Sequence, residues 1–355
     1  MMRFDSVETP AVLIDEDIAH ANIRAYQNYC ERHGLALRPH IKTHKLPRFA
    51  KAQLDAGAVG VTCQKISEAE VMANHEIDDI FITYNLLGAE KLQRLANLAT
   101  QTKRLAVVAD NAKVVDGLAH VFASTSPMLT VLVECDTGAG RCGVQTPAEA
   151  VRLAEQITKF QSLNFGGLMT YPAIGGGEQV QNFMETVCAG LDEKNILCPI
   201  ISSGGTPDMW RAHTVSAVTE YRVGTYIYND RSLVDGGVCQ IKDCALIVLA
   251  TVVSTPTPER AVIDAGSKVL TSDLNGLEHY GICMEHPELA VAKLSEEHGV
   301  LQSLTDGSTG LSVGKRVRII PNHACVVSNM VDAVVLHRNG KRQEVVEVSA
   351  RGCVT

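Results

Sequence analysis

The sequence lacks the features of membrane-spanning and nucleic-acid-binding proteins. Among its 355 residues, no apolar run approaches the roughly 18–20 residues needed to cross a bilayer. No run of lysine and arginine is longer than a few residues, and the net charge is −8, whereas nucleic acids and anionic membranes attract clustered basic surfaces. The first residues, MMRFDSVETP, contain no apolar signal-peptide core. We therefore expect a cytoplasmic protein with no nucleic-acid or membrane partner.

The cysteines lack the spacing of a structural metal site. There are eleven, an odd number scattered through the chain, and no C-x-x-C pair occurs. This spacing excludes a closed zinc finger. In a reducing compartment most of these thiols are expected to be buried and to behave as small apolar residues. A metal site must therefore combine ligands of other kinds.

What the sequence does contain is a regular alternation of short apolar runs and amphipathic segments. Segments such as LPRFAKAQLDAG (46–57) and AEKLQRLANLAT (89–100) repeat apolar positions at three and four residues, as helices do. Eight βα units in about 200 residues are typical of a (β/α)8 TIM-type barrel, with a doubly wound open sheet as the alternative. The predicted strands are 35–41, 59–62, 79–84, 104–110, 129–136, 165–171, 199–204 and 219–228.

After about residue 240 the pattern changes to β-rich runs joined by turns. CALIVLATVVS (244–254) and KRVRIIPNHAC (315–325) are examples. We predict an α/β barrel domain over residues 15–240 and a smaller, mostly-β domain over 241–355. The strand-like N-terminal segment, residues 1–14, could join either domain, and we assign it to the β domain. The helix that follows it has Asp15 as its expected N-cap.

The stretch RPHIKTHK (38–45) follows the first barrel strand, at the end where barrel enzymes carry their chemistry. If the strand continued, alternation would point His40, Lys42 and His44 the same way. A lysine that is partly desolvated at a barrel mouth beside imidazoles has a lowered pKa and can form a Schiff base. An ordinary surface lysine is the alternative.

The turn SSGGT (202–206) ends the seventh predicted strand. Its backbone N–H groups could bind a phosphate at a helix N-terminus, as barrel phosphate sites do, or it could be an ordinary tight turn. Tyr226 and Tyr228, near the end of the eighth strand, could donate hydroxyls to the same phosphate or simply lie in the core. A lysine together with a phosphate site suggests pyridoxal 5′-phosphate (PLP).

Near the C-terminus, PNHAC (321–325) ends another predicted strand. In an extended chain the side chains of His323 and Cys325 face the same way. Imidazole and thiolate together suit zinc or a similar divalent ion. A buried histidine beside a buried cysteine, with no metal, is the alternative.

Together these motifs resemble the fold-type III PLP enzymes, specifically the family of D-threonine aldolases and eukaryotic-type D-serine dehydratases. The resemblance implies an alanine racemase-like barrel followed by a β domain, a homodimer, bound PLP and a divalent metal (zinc, manganese or magnesium). It extends from residue 9 to about 352, and all the motifs occur in one order. They are TPAVLID, RPHIKTHK, GVTCQKISEAE, VECDTGAGRCGV, SSGGTP, GTYIYND, VIDAGSK, EEHG, PNHAC and EVSARG.

The resemblance also implies roles for individual residues. Lys42 matches the lysine that forms the Schiff base, and Arg141 the arginine near the phenolic oxygen of the cofactor. Tyr171 matches the tyrosine at the end of the sixth strand, which serves in catalysis and in cofactor binding. His323 and Cys325 match the metal pair. The other implied cofactor-binding residues are His40, Gln64, Ser203, Gly204, Gly205, Thr206, Tyr226 and Tyr228.

The implied function is a lyase acting on 3-hydroxy-D-amino acids, by retro-aldol cleavage to glycine and an aldehyde. The alternative is dehydration of D-serine or 3-hydroxy-D-aspartate to a keto acid and ammonia. Two departures favour the alternative: TYPAIGGGEQV lacks the Gln-His of bacterial aldolases, and Cys325 stands where many aldolases carry aspartate. An amino-acid racemase is disfavoured by the His323–Cys325 pair, and a small non-catalytic PLP-binding protein by the β domain.

Overall fold

The computed structural model describes residues 4, 6–123, 128–305 and 307–355. The chain forms two compact units, which we describe separately. The β unit comprises Met1–Arg24, Thr43–Lys45 and Thr225–Gly352, and the barrel unit comprises Ala25–Lys42, Leu46–Gly224 and Cys353–Thr355.

The barrel unit ends at Gly224, whereas the sequence suggested a boundary after residue 240. The difference arises because the segment 225–240 already bonds to partners in the β unit. For example, Asn22 donates its side-chain N–H to the Ile227 carbonyl (3.1 Å), and Ala245 N donates to the Tyr228 carbonyl (2.6 Å).

The strands follow one another in short segments through the described residues. In chain order they are β1 (Ala11–Asp15), β2 (Ala36–Leu37), β3 (Val61–Cys63), β4 (Asp79–Ile82), β5 (Arg104–Ala109), β6 (Leu129–Cys135), β7 (Leu163–Thr170), β8 (Ile200–Gly204), β9 (Glu220–Arg222), β10 (Leu246–Thr257), β11 (Arg260–Ile263), β12 (Gly281–Cys283), β13 (Leu289–Leu294), β14 (Gly299–Ser303), β15 (Arg316–Pro321), β16 (Ala333–Arg338) and β17 (Lys341–Glu347).

Helices separate most of these strands. Asp15 caps the first helix as expected, since its carboxylate accepts the N–H of Ile18 at 3.2 Å. No helix in the described part of the chain is long and apolar enough to cross a membrane. The α-helices are α1 (Glu16–Arg32), α2 (Pro47–Asp55), α3 (Ile66–Ala73), α4 (Ala89–Ala99), α5 (Ala112–Phe122), α6 (Pro147–Thr158), α7 (Gly177–Glu193), α8 (Arg231–Asp235), α9 (Ser267–Leu270) and α10 (Ala324–Met330), and the 3₁₀ helices are Ile41–Thr43, Thr206–Thr214, Thr225–Ile227 and Ile241–Asp243.

The barrel unit contains a parallel sheet of eight strands, in the order β2-β9-β8-β7-β6-β5-β4-β3. All neighbouring strands are parallel. A parallel bridge between His40, just after β2, and Thr62 in β3 joins the two ends of this order. The eight strands coincide with the eight predicted apolar runs, so the TIM-type barrel is confirmed and the open sheet is wrong.

The first barrel strand is shorter than the sequence suggested. The strand β2 has two residues, and Ile41–Thr43 form a 3₁₀ turn. The expectation that His40, Lys42 and His44 point the same way along a strand is therefore wrong. The imidazole of His40 explains the turn, because its Nδ1 accepts the backbone N–H of Lys42 at 3.3 Å.

The β unit is built on a nine-stranded sheet, in the order β11-β14-β13-β12-β15-β10-β1-β16-β17. Pairing of β10 with β11 closes six of these strands into a ring. The N-terminal strand β1 lies within this sheet, antiparallel to β10 and parallel to β16. Its residues Leu13 and Ile14 are fully buried. The mostly-β character predicted for the C-terminal part is confirmed.

Inside the barrel, an apolar side gives way to a charged one. Phe81, Val108, Leu132 and Met169 form an apolar cluster from four consecutive strands. Met169 is level with Ser202 in the neighbouring strand, and the sheet register places both on the same face. This face continues through β9 and β2 with charged residues, so the interior of the barrel is polar on β8, β9 and β2 and, apart from Asp79 in β4 and Glu134 in β6, apolar on β4–β7.

The polar side is one connected set of hydrogen bonds. Arg38 donates to Glu220 (2.8 Å) and to Asp79 (2.6 Å), and Glu220 accepts from Ser202 (2.7 Å). Arg222 donates to the Ser202 hydroxyl (2.9 Å) and to the Thr170 carbonyl (2.5 Å). We call this set the Arg38–Arg222 network. It reaches from the amino ends of β4 and β9 to the carboxyl ends of β7 and β9. Its members are Asp79, Arg38, Glu220, Ser202, Arg222 and Thr170.

We expect Arg38→Met to lower the free energy of unfolding by about 3–5 kcal/mol, because it leaves the buried Glu220 carboxylate without its ion-pair partner and Asp79 with only the exposed Arg104. Arg104→Met is a matched control: Arg104 also pairs with Asp79 (2.8 Å), but its side chain is 80% exposed, so we expect a loss below about 1 kcal/mol. Urea unfolding of the three proteins measures both values. Equal losses for the two variants would contradict the importance of the network.

Candidate active site

His40 lies at the carboxyl end of the first barrel strand with its imidazole held on both sides. Its Nε2 lies 3.1 Å from Oε1 of Gln64, and its Nδ1 accepts the N–H of Lys42. These two bonds together fit a neutral ring with the proton on Nε2. Gln64 in turn donates to the Thr83 carbonyl at 2.9 Å. Three of the predicted site residues, His40, Lys42 and Gln64, are thus brought together.

The turn after β8 requires glycine at both of its central positions. A Cβ on Gly204 would lie 2.5 Å from the Arg222 carbonyl oxygen. Gly205 has φ +117°, which L side chains rarely adopt, and a Cβ there would point into space whose nearest atom is 3.9 Å away. The turn therefore offers backbone and open space in front of Thr206, where a 3₁₀ helix begins. These features fit a phosphate group, which binds backbone N–H groups at such positions.

Tyr171 stands between two of the other predicted residues. Its Cε2 is the atom 3.9 Å from the Cβ position of Gly205, and its ring centroid is 4.7 Å from the guanidinium carbon of Arg141. The tyrosine is 38% exposed, so its ring is open to a ligand on one side. The cation–π contact places a fixed positive charge beside it. The barrel unit therefore brings Arg141, Tyr171 and the glycine turn into one cluster.

The remaining predicted residues are buried in their units. Ser203 precedes the glycine turn in the barrel unit and is 3% exposed. Tyr226 and Tyr228 belong to the β unit, in and just after the 3₁₀ turn Thr225–Ile227, and are almost fully buried. Burial raises the pKa of the Tyr228 phenol well above its ordinary value, so that this residue remains a neutral hydrogen-bonding group.

His323 and Cys325 lie in the β unit at the start of α10 rather than in an extended strand, so that part of the sequence interpretation is wrong. The helix starts here because Asp230 accepts the N–H of Ala324 at 3.0 Å. Their side chains still meet. Burial opposes the charged form of His323, but its hydrogen bonds to Cys325 and Asp273 raise its pKa to about 9.

Each member of this pair has a second partner. His323 Nδ1 lies 2.6 Å from Asp273 Oδ2, and Cys325 Sγ lies 3.1 Å from the Thr43 hydroxyl. A carboxylate behind a histidine is the arrangement that orients metal-binding imidazoles. Among the described residues no cluster of three or more His, Cys, Asp or Glu is placed to hold a metal. Among the described residues, an ion at this pair would therefore have only His323 and Cys325 as ligands of these types.

Sequence reasoning missed two buried charged residues near the glycine turn and Arg141 in the barrel unit. Arg222 ends β9, and burial lowers its pKa to about 10. Glu134 lies near the end of β6, level with Met169 and 4% exposed. Burial, and then repulsion from Asp110, raise its pKa to about 7 against the attraction of Arg222 and Arg141. The detectable signal was a charged residue within an otherwise apolar strand, in VLVECD and TEYRVG.

Two models of known protein families match most of this chain. The family model "Alanine racemase, N-terminal domain" matches residues 14–232, and "Putative serine dehydratase domain" matches 245–337. D-threonine aldolase of Arthrobacter is 34% identical over 98% of this chain and 93% of its own length. The chain belongs to the D-threonine aldolase and D-serine dehydratase family. The family named from the sequence motifs is thus confirmed, and it is one of PLP enzymes.

Other members of the family are similar over the same span. D-threo-3-hydroxyaspartate dehydratase of Delftia is 30% identical over 90% of this chain and 91% of its own length. The crystal structure of D-threonine aldolase from Filomicrobium marinum superposes with a TM-score of 0.91 at 30% identity, covering 98% of this chain and 97% of the other. Aldolases and dehydratases of the family therefore share the fold of this chain.

We expect Glu134→Gln to remove a pH dependence of stability. A carboxyl whose pKa is about 7 in the folded protein and about 4.5 in the unfolded chain takes up a proton on folding. Its contribution to stability therefore falls as the pH rises from about 4.5 to 7. Relative to wild type, the free energy of unfolding of Glu134→Gln should increase between pH 5 and 8, by up to about 3 kcal/mol.

Urea unfolding at pH 5, 6, 7 and 8 measures this difference. Glu149→Gln is the control, because hydrogen bonds from the Gln145 and Thr146 N–H groups lower the pKa of Glu149 below 4.5. Its difference from wild type should stay constant across that pH range. A constant difference for Glu134→Gln as well would show that this carboxyl is not perturbed.

Proposed function

We propose that this chain is a PLP-dependent lyase that acts on 3-hydroxy-D-amino acids and cleaves them to glycine and an aldehyde. The observation that carries the proposal is the cluster of Arg141 and Tyr171 against the open Gly204–Gly205 turn, in a chain of this family. The aldolase of Arthrobacter, at 34% identity, supports cleavage over dehydration. The substrate is thus a small D-amino acid.

The proposed cofactor site uses the residues that the sequence resemblance assigns to PLP. Lys42 is the proposed point of covalent attachment, and the Gly204–Gly205 turn with Thr206 the proposed phosphate site. Arg141 would face the phenolic oxygen, and Tyr171 would act on the substrate beside it. PLP supplies an electron sink for the negative charge left on Cα when a bond to it breaks. The other proposed ligands are His40, Gln64, Ser203, Tyr226 and Tyr228.

A divalent ion is proposed at His323 and Cys325. Imidazole and thiolate ligands suit zinc best, with manganese or magnesium as alternatives. Such an ion would supply positive charge that lowers the pKa of the substrate β-hydroxyl. Asp273 would fix the orientation of the His323 ring, and Thr43 would do the same for the Cys325 sulfur through the hydrogen bonds described above.

Dehydration to a keto acid and ammonia is the second candidate, and two features favour it. Cys325 replaces the aspartate of many aldolases, and the segment after Tyr171 contains no histidine to take the hydroxyl proton. The two outcomes differ in which proton moves. If the Lys42 amine removes the proton on Cα, the hydroxyl leaves; if a base removes the hydroxyl proton, the Cα–Cβ bond breaks. We further propose a homodimer in the cytoplasm.

We expect the protein loaded with PLP and Mn²⁺ or Zn²⁺ to release glycine from D-threonine. D-serine and 3-hydroxy-D-aspartate complete the substrate panel, and ammonia with a keto acid would identify the dehydratase instead. Lys42→Ala should lose both turnover and the absorbance of lysine-bound PLP at about 420 nm. Lys51→Ala, which changes a half-exposed lysine, should keep both. If no substrate yields either glycine or ammonia with a keto acid, the proposed lyase function is ruled out.

We expect Asp273→Asn to weaken metal binding by about 10- to 100-fold, as loss of a carboxylate behind a ligating histidine does. His323→Ala should weaken it further, because it removes a ligand. Competition with a chromophoric chelator measures the affinity for Zn²⁺ without any assay of turnover. Glu288→Gln is the control, since Glu288 faces His286 on the protein surface. Unchanged affinity in His323→Ala would place the ion elsewhere.

A further inference from the structure

The loop between β7 and α7, residues 171–176, has little conformational preference of its own. Gly175 and Gly176 end it, and a third glycine, Gly177, begins α7. Gly175 has φ +77°, and Ile174 at the tip is 76% exposed. Glycine-rich backbone adopts many conformations at similar cost. The position of this loop is therefore determined by the contacts that it makes with its surroundings.

One of these contacts is a charged hydrogen bond to Asp208. Its Oδ2 accepts the backbone N–H of Gly175 at 2.7 Å, and its other oxygen pairs with the guanidinium of Arg211, one helical turn further on. The Asp208 side chain is 19% exposed, whereas that of Arg211 is 65% exposed. Hydrogen bonds to an ionised carboxylate are about twice as strong as neutral ones. The Asp208 carboxylate thus joins the loop to the 3₁₀ helix at the protein surface.

Asp208 also lies next to the glycine turn. It is the third residue of the 3₁₀ helix that starts at Thr206, directly after Gly205. The loop consequently approaches this segment at two points: Cε2 of Tyr171 lies 3.9 Å from the Cβ position of Gly205, and the N–H of Gly175 binds Asp208. A cavity of about 420 Å³ is lined in part by Pro172 and Gly175 of the loop and by Ser203, Asp208 and Tyr221. The loop therefore forms part of the wall of this cavity, and its hydrogen bond to Asp208 lies at the same wall.

We propose that Asp208 is a positioning residue that fixes the loop 171–176, and with it the ring of Tyr171, in the place where substrate binds. This inference rests on the proposed lyase function for its kinetic readout. Without the carboxylate, the loop samples other positions and the substrate must select the correct one, which raises KM. The glycine turn keeps its own hydrogen bonds in the variant: Gly205 N–H donates to the Arg222 carbonyl (3.0 Å), and the Tyr221 hydroxyl donates to the Gly205 carbonyl (3.1 Å). PLP affinity is therefore retained.

The test compares Asp208→Ala, Asp208→Asn and Arg211→Gln with wild type, all loaded with PLP and Mn²⁺. For D-threonine, Asp208→Ala should raise KM at least about tenfold, the effect of losing one hydrogen bond to a charged group. Its kcat and its PLP affinity should stay within about threefold of wild type. Asp208→Asn retains an oxygen acceptor, and Arg211→Gln retains the bond to Gly175, so we expect both to restore KM to within about threefold.

Hydrogen–deuterium exchange of the peptide covering residues 172–177 tests the tether without turnover. In the PLP-loaded wild type the amide of Gly175 should be protected, and in Asp208→Ala it should exchange at least about tenfold faster. An unchanged exchange rate of the Gly175 amide in Asp208→Ala would overturn the proposal. Lower PLP affinity with an unchanged KM would also overturn it, because Asp208 would then act only on the glycine turn. If wild type acts on none of the substrates, the lyase function fails, and the exchange experiment still decides the tether.

Discussion

The barrel depends on the Arg38–Arg222 network. The strands β2 and β9 have two and three residues, so backbone hydrogen bonds alone hold this side of the barrel weakly. Arg38, Glu220 and Arg222 are each at most 9% exposed, and charges buried to this degree are stable only when they are paired. The network satisfies them and, in doing so, joins the short strands to β4, β7 and β8. On the opposite side, longer apolar strands need no such connection.

The same network determines the electrostatics of the candidate site. One of its members, Arg222, lies directly under the glycine turn, and the carbonyl oxygen of Arg222 excludes any side chain at Gly204. Its charge, together with that of Arg141, moderates the effect of burial on Glu134. A network that holds the strands thus also sets the charge beneath the proposed phosphate and substrate groups. Packing and chemistry are not separable in this part of the protein.

The eight barrel strands were predictable because a parallel sheet covered by helices requires short, nearly continuous apolar runs. The predictions were wrong where a long-range contact ends an element. The imidazole of His40 turns the chain at Lys42, and the carboxylate of Asp230 starts a helix at Ala324. Strands β12–β14 were not predicted because they are short and lie among turns.

Candidate residues that lie within a motif could be named from the sequence. Residues that act through a distant partner could not. Asp208 bonds to Gly175, 33 positions away, and Asp273 to His323, 50 positions away. Neither pair has a local pattern, since only the fold brings its members together. Glu134 and Arg222 are intermediate cases, visible as charges in apolar strands but uninterpretable without their burial.

The position of β1 has a consequence for the order in which the protein acquires its structure during synthesis. This strand pairs with β10 and with β16, whose residues 333–338 are translated more than 300 codons later. All strands of the barrel, by contrast, lie between residues 36 and 222. The barrel strands can therefore pair while the ribosome is still translating, whereas both edges of β1 stay unpaired until β10 is made, and one edge until β16 is made. An unpaired strand edge can pair with another chain, so β1 is open to such pairing for most of the time that the chain is being synthesised.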